Sequence, residues 1–208
     1  MSRFSKVIGI TLTVTAALAV WAVAAGTAAH LDKWGADVGT SAPRETQSAI
    51  ALDLAAARDA TAKYVNNLAL ARKDGYRIIT RMIPAMGYHF MNPTVKGFDI
   101  TKPPILVYQH RGSTWQLGAI EWVFPSKPAT PPLPGAKYGA FGAACHYADG
   151  TFVPAATQDA CPPKAPGTGA KFGFWHPNLV TMHVWLWYPN PSGLFASTNP
   201  HVAPFDGR

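Results

Sequence analysis

Cysteine, glutamate and recognisable catalytic signatures are what this chain has least of. Two cysteines, Cys145 and Cys161, occur in 208 residues. Their separation rules out the C-x-x-C spacing of a redox or zinc pair. No G-x-S-x-G, H-E-x-x-H, G-x-G-x-x-G or P-loop pattern occurs. That removes the sequence support for a serine hydrolase, a zincin, and a dinucleotide or phosphate cradle. The paired H-x-H of a cupin is missing as well. Charge is sparse: 18 Lys and Arg stand against 11 Asp and Glu. The densest basic cluster is Arg72-Lys73 followed by Arg77 and Arg81, short of the stripe a nucleic-acid surface needs. Nucleic acid is therefore not an expected partner.

The chain opens with MSRFSKVIGITLTVTAALAVWAVAAGTAA, a basic start followed by an uncharged apolar run and small residues. This is the pattern of an export signal, with Thr27-Ala28-Ala29 as an acceptable cleavage site. The apolar run is long, so an uncleaved N-terminal anchor is the alternative, and the one expected route to a membrane. Cleavage would remove Arg3 and Lys6 and no acid, leaving 16 basic and 11 acidic residues and a net charge of +5. In an exported chain, Cys145 and Cys161 are expected to pair. The expected location is secreted, periplasmic or cell envelope. The expected domains are residues 1–29 as signal peptide or anchor, 30–43 as an N-terminal arm, and 44–208 as one α+β domain.

From Arg44 to Asp74 there is no glycine or proline, and alanine and leucine dominate. Apolar residues recur at three-four spacing, which predicts one long helix or a helix pair over 44–74, stopped at Gly75. Beyond it the chain turns to strand and turn signals. PPILVYQH (103–110) and TWQLGAIEWVFP (114–125) flank Arg111-Gly112-Ser113 and read as a hairpin. VTMHVWLWYP (180–189) is a third strand candidate. The Pro- and Gly-rich stretch between them, with both cysteines, reads as a long irregular loop held by a disulfide. The expected fold is thus one long N-terminal helix packed on a small, mostly antiparallel sheet. Asn-Pro recurs at 92–93, 190–191 and 199–200. Each pair is expected to end a strand and start a turn. The alternative is that these asparagines line a pocket mouth.

Three residues stand out against this background. Glu121 lies inside an apolar strand, where a carboxylate needs a partner, a hydrogen bond or a metal. His89 in MGYHFMNP and His183 in VTMHVWLWYP have similar apolar settings. Two imidazoles and a carboxylate suit Zn, Mn, Fe or Cu. The candidate metal ligands are therefore His89, Glu121 and His183, with a divalent transition metal as the expected cofactor. The competing reading is a buried network, Glu121 pairing with Arg81, Arg111 or one of the histidines. Strand alternation puts Thr181, His183, Trp185 and Trp187 on one face, and Trp115, Leu117, Ala119, Glu121 and Val123 on another. A ligand cleft beside Trp185 or Trp187 would suit an apolar small molecule. Cleavage after Ala29 would also expose His30, whose amine and ring can chelate copper together. No catalytic nucleophile or acid–base pair is assigned. Asp99, Asp149, Asp159 and Asp206 read as loop carboxylates.

At MGYHFMNP, LGAIEWVFP and HVWLWYPNPSGLFASTNP the chain resembles a family of exported bacterial proteins that have no assigned activity. The resemblance covers residues 45–125 and 180–202. It is carried by Met86, Gly87, His89, Glu121, His183, Asn190, Pro191, Gly193, Phe195, Asn199 and Pro200. It implies export and draws His89, Glu121 and His183 together, without a reaction to carry over. The leading functional expectation is an exported binding protein with a small-ligand or metal pocket. A metal-dependent secreted enzyme using the same trio and a structural envelope protein are the alternatives.

Overall fold

The computed structural model describes residues 41–205. The expected signal segment 1–29, residues 30–40 of the arm, His30 and Asp206 lie outside the described residues. Helix α1 spans Ser41–Thr61 and helix α2 spans Leu68–Lys73, with a 3-10 turn at Ala62–Tyr64 between them. Of the two readings of 44–74, the helix pair holds and the one long helix of the expected fold is corrected, the longer member having 21 residues. The break has a local and a tertiary cause. Asn67 caps α2, its Oδ1 accepting from the Leu70 amide at 2.9 Å. The backbone freed at the break is taken up by the sheet. Leu117 N donates to Val65 O at 2.7 Å, and the Tyr108 hydroxyl donates to Tyr64 O at 2.8 Å. Gly75, with φ +106°, ends α2 as expected.

Among the described residues nine strands follow: β1 Arg77–Ile83, β2 Gly87–Met91, β3 Ile105–Arg111, β4 Thr114–Phe124, β5 Gly139–Phe141, β6 Ala144–Tyr147, β7 Phe152–Pro154, β8 Phe172–His176 and β9 Leu179–Val184. They form a six-stranded sheet in the order β1-β2-β3-β4-β9-β5 and a three-stranded sheet in the order β7-β6-β8. The named pairings are antiparallel. The α+β expectation holds at this level, but the sheet is not small. The stretch expected to be an irregular loop carries four of the strands and builds the whole second sheet. Its strands are only three to five residues long, too short for period-2 alternation to stand out among prolines and glycines.

The six-stranded sheet has two unlike faces. One packs on the helices through Tyr64, Leu68, Phe90, Leu106, Tyr108, Ile120, Trp122 and Met182. The other carries Ile79, Ile105, Val107, Ala119 and Trp185 and turns toward the second sheet. Two short crossings join the sheets: Gly142-Ala143 between β5 and β6, and Pro177-Asn178 between β8 and β9. They brace one another, since Asn178 Oδ1 accepts from the Ala143 amide at 2.9 Å. At the other edge, Arg81 N donates to Gly150 O at 2.8 Å. Gly150 has φ +81°, and a Cβ there would lie 2.7 Å from Ile78, so only glycine allows this approach. The sheets thus meet along two edges and enclose a space between them.

One bulge and one early strand end decide which residues reach that space. Between Val107 and Tyr108 the β3–β4 register shifts, Tyr108 facing Leu117 and Val107 facing Ala119. Leu117 therefore points to the helix side and Ala119 to the inter-sheet side. The simple alternation expected for 115–123 is corrected here: Trp115 and Leu117 do not share a face with Glu121. The strand expected over 180–189 is also corrected, because β9 ends at Val184. Trp185 N donates to Leu194 O at 3.0 Å, and the Trp187 and Tyr188 amides both reach Gly118 O. Trp187 consequently packs on the helix side, its Nε1 donating to Thr61 Oγ1 at 3.1 Å, rather than sharing the face of His183.

The three Asn-Pro pairs act as turn devices. The Oδ1 atoms of Asn92, Asn190 and Asn199 each accept from the amide two residues on, at 3.0 Å. Leu194 and Phe195 fold back onto the helix-side core. Cys145 and Cys161 are joined by a disulfide, with Cα atoms 5.6 Å apart. Among the described residues no helix is long and apolar enough to cross a membrane.

Candidate functional site

The space between the sheets is a cavity of about 460 Å³. All nine strands contribute to its wall, which is mostly apolar: Ile79, Ile83, Met91, Ile105, Val123, Phe141, Phe152, Phe174 and Leu179. Into it project His89, Glu121, His183, His146, His176, Thr80 and Thr181. Trp185, Trp187 and the three Asn-Pro asparagines are not among the lining residues. The tryptophan cleft and the asparagine-lined mouth are both corrected by this. The tryptophans serve the core, and the asparagines bond their own turns.

His89, Glu121 and His183 come from β2, β4 and β9. Glu121 sits directly opposite His183 in the β4–β9 register, and His89 reaches the same point from two strands away. His89 Nε2 lies 3.4 Å from His183 Nε2. Glu121 Oε2 is 3.5 Å from His89 Nε2, and Glu121 Oε1 is 3.6 Å from His183 Nε2. Each residue is 4% exposed, so solvent does little to offset their charges. The arginine partners weighed for Glu121 are engaged elsewhere. Arg81 pairs with Asp149, and Arg111 lies over the Phe205 ring. Asp149 and Asp99 also bond their own turns, accepting from Thr151 and Thr101.

Burial sets the protonation of the trio. It pushes the Glu121 carboxyl up to about 8 and the His183 imidazole down to about 4. Burial, reinforced by His183, holds His89 well below the ordinary histidine range. Near neutral pH the trio alone is therefore a protonated acid beside two neutral imidazoles. A cation at its centre would reverse the preference of Glu121 and take up the lone pairs of both rings. The geometry suits one. An ion about 2.0–2.1 Å from each imidazole nitrogen, with the nitrogens 3.4 Å apart, subtends roughly 110°. Glu121 turns one oxygen to each ring, and one donor atom from each of the three residues lies within 4.8 Å of the others, close enough to share an ion. His89 is further oriented by Thr80, whose Oγ1 is 2.7 Å from His89 Nδ1.

The path of β2 that places His89 depends on Gly87. This residue has φ +121°, and a Cβ there would come within 2.6 Å of Tyr108 O and the Gln109 side chain. The adjacent Met86 carbonyl accepts from Gln109 Nε2 at 2.8 Å. The Met-Gly-x-His spacing therefore has a structural cause: glycine allows β2 to start against β3, and the histidine two residues on faces the cavity.

His146 and His176 were missed by the sequence reading. They lie on β6 and β8, His146 inside the stretch read as loop and His176 just past its end. His146 Nδ1 is 2.6 Å from Ile79 O, and its ring stacks on Phe174 with centroids 4.6 Å apart. Burial pushes it down to about 4. The sequence signal that could have found them is the pair of short aromatic-histidine strings, ACHY and FGFWH, once these are read as strands.

A scan against protein-family models, a search of curated proteins and a search of solved structures each returned no match. What can be said of function therefore rests on the site.

Proposed function

We propose that this chain is an exported metal-dependent binding protein. The trio of His89, Glu121 and His183 holds one divalent transition metal, zinc by geometry, at the wall of the inter-sheet cavity. The ion's remaining coordination position accepts a donor atom of a small, largely apolar ligand. The observation that carries the reading is the meeting of two buried imidazole nitrogens, 3.4 Å apart, with the two oxygens of one buried carboxylate at 3.5 and 3.6 Å, on an apolar cavity large enough for a small molecule. Export is supported by the Cys145–Cys161 disulfide, which is consistent with an oxidising compartment. The resemblance to exported bacterial proteins and the apolar leader belong to the same proposal.

A metal-dependent enzyme is the second reading. It is favoured by the open fourth position, since three protein ligands and one exchangeable position is the arrangement of catalytic zinc. Metal analysis of the purified chain tests the shared premise. One equivalent of zinc should be bound through the trio and lost in Glu121→Gln and in His183→Ala, with melting still cooperative in both. A folded wild-type protein that takes up no zinc through these residues would end both readings.

A further inference from the structure

The second histidine pair in the cavity has a geometry that a purely structural role does not explain. His146 Nδ1 lies 2.6 Å from the Ile79 carbonyl, and His176 Nδ1 lies 2.6 Å from the Pro177 carbonyl. A carbonyl oxygen only accepts, so both Nδ1 atoms carry hydrogen and donate. Each neutral ring is thereby left with a lone pair on Nε2. Those two Nε2 atoms face one another at 3.0 Å. Two lone pairs aimed at each other at that distance repel unless a positive charge lies between them or beside both. The rings are held in this arrangement rather than drifting into it: β6 and β8 are paired neighbours with Ala144 opposite His176 and His146 opposite Phe174, and both histidines are buried.

We propose that His146 and His176 form a second transition-metal position in the same cavity, binding one ion through their two Nε2 atoms. Water or the cavity's ligand completes the coordination. An ion about 2.0–2.1 Å from each nitrogen, with the nitrogens 3.0 Å apart, subtends roughly 95°. That is the angle of neighbouring ligands in a square-planar or octahedral site, unlike the wider angle of the first trio. Imidazole donors without a carboxylate suit copper, nickel or zinc rather than magnesium or calcium. The Nδ1 hydrogen bonds to backbone carbonyls are the outer contacts that ligating histidines normally have. The pair stands independently of the function proposed for the trio, because no trio residue supplies its donors or orients its rings.

Equilibrium dialysis of the disulfide-bonded chain against Zn(II), and separately against Cu(II), with metal counted per chain, tests the proposal. With at least one of the two metals the wild-type protein should hold two equivalents. His176→Ala should hold one, and His176→Gln should do the same if the alanine variant melts. His183→Ala should lose the other equivalent. A count unchanged by the His176 substitutions, but lowered by His183→Ala, would overturn the pair and keep the trio. The reverse pattern would keep the pair and overturn the trio. Long-range proton–nitrogen NMR of the unmutated chain reads the same question directly. The Nε2 resonances of His146 and His176 should move on adding metal. If they stay fixed, or report one imidazolium sharing its proton with the other ring in metal-saturated protein, the pair holds a proton and not a metal.

Discussion

Ile79 and Thr80, consecutive on β1, each orient a histidine from a different pair. The Ile79 carbonyl accepts from His146 Nδ1 at 2.6 Å, and the Thr80 hydroxyl lies 2.7 Å from His89 Nδ1. Consecutive strand residues normally face opposite ways. Here the register shift between Ile78 and Thr80 brings both to the cavity wall. One bulge on the first strand thus connects the six-stranded sheet's histidine to that of the small sheet.

Thr80→Val keeps shape and removes the hydroxyl that orients His89. Metal affinity of the trio should fall by about 10- to 100-fold, the usual cost of losing such an outer contact. The melting temperature of metal-free protein should change much less. Competition titration with a chromophoric chelator measures it. An affinity equal to wild type would show that Thr80 does not position the ring.

The metal-free protein should be most stable near pH 6.5. His89, His146 and His183 have folded values pushed below that of a free histidine. The unfolded chain therefore takes up their protons first, and stability rises with pH up to about 6.5. Glu121 has the opposite sign: its folded carboxyl is raised to about 8. The folded state holds a proton that the unfolded state releases above about 4.5, so this contribution falls from there to about 8; the three histidines outweigh it below about 6.5, and the net descent lies between about 6.5 and 8. Chemical denaturation across pH 4.5–8.5 with a chelator present checks both limbs. Glu121→Gln should abolish the descending limb and leave the rising one. A descending limb that survives in Glu121→Gln would assign it to another group.

Gly87→Ala should destabilise the fold by about 3 kcal/mol or more, since the backbone conformation is one that only glycine adopts readily and the new methyl meets the Tyr108 carbonyl. The same substitution should weaken metal binding, because β2 must shift and carries His89. Thermal melts and zinc titration on one preparation test this. A folded variant with wild-type stability and affinity would contradict the account of the Met-Gly-x-His segment.

Removing the disulfide by Cys145→Ala with Cys161→Ala should cost about 3 kcal/mol, as expected for a closed loop of this length. Cys145 precedes His146 on β6, so the loss should loosen the small sheet before the large one. Hydrogen exchange should show lost protection at β6 and β8 first, with β3 and β4 still protected. Uniform loss across both sheets would show a single cooperative unit instead.

Local chemistry in the sequence was enough for several elements. The β3–β4 hairpin, the stop at Gly75, the three Asn-Pro turns and the cysteine pairing follow from glycine, proline, asparagine and thiol properties that act over a few residues. Glu121, His89 and His183 were also visible, because an ionisable group in an apolar strand is conspicuous whatever the fold. Their meeting point was not visible, since it depends on the β4–β9 register and on a strand two places away. The helix break at 62–67 is held by Val65 and Tyr64 carbonyls accepting from β4 and β3, contacts that no helical periodicity encodes. His146 and His176 were hidden because their strands are too short to show alternation, and their partner Ile79 is distant in sequence. The residue types alone determined that a buried carboxylate and histidines needed partners. Only the bulges, the strand register and the closure of two sheets decided which atoms those partners would be, because side-chain direction in a strand is inherited from pairings made far along the chain.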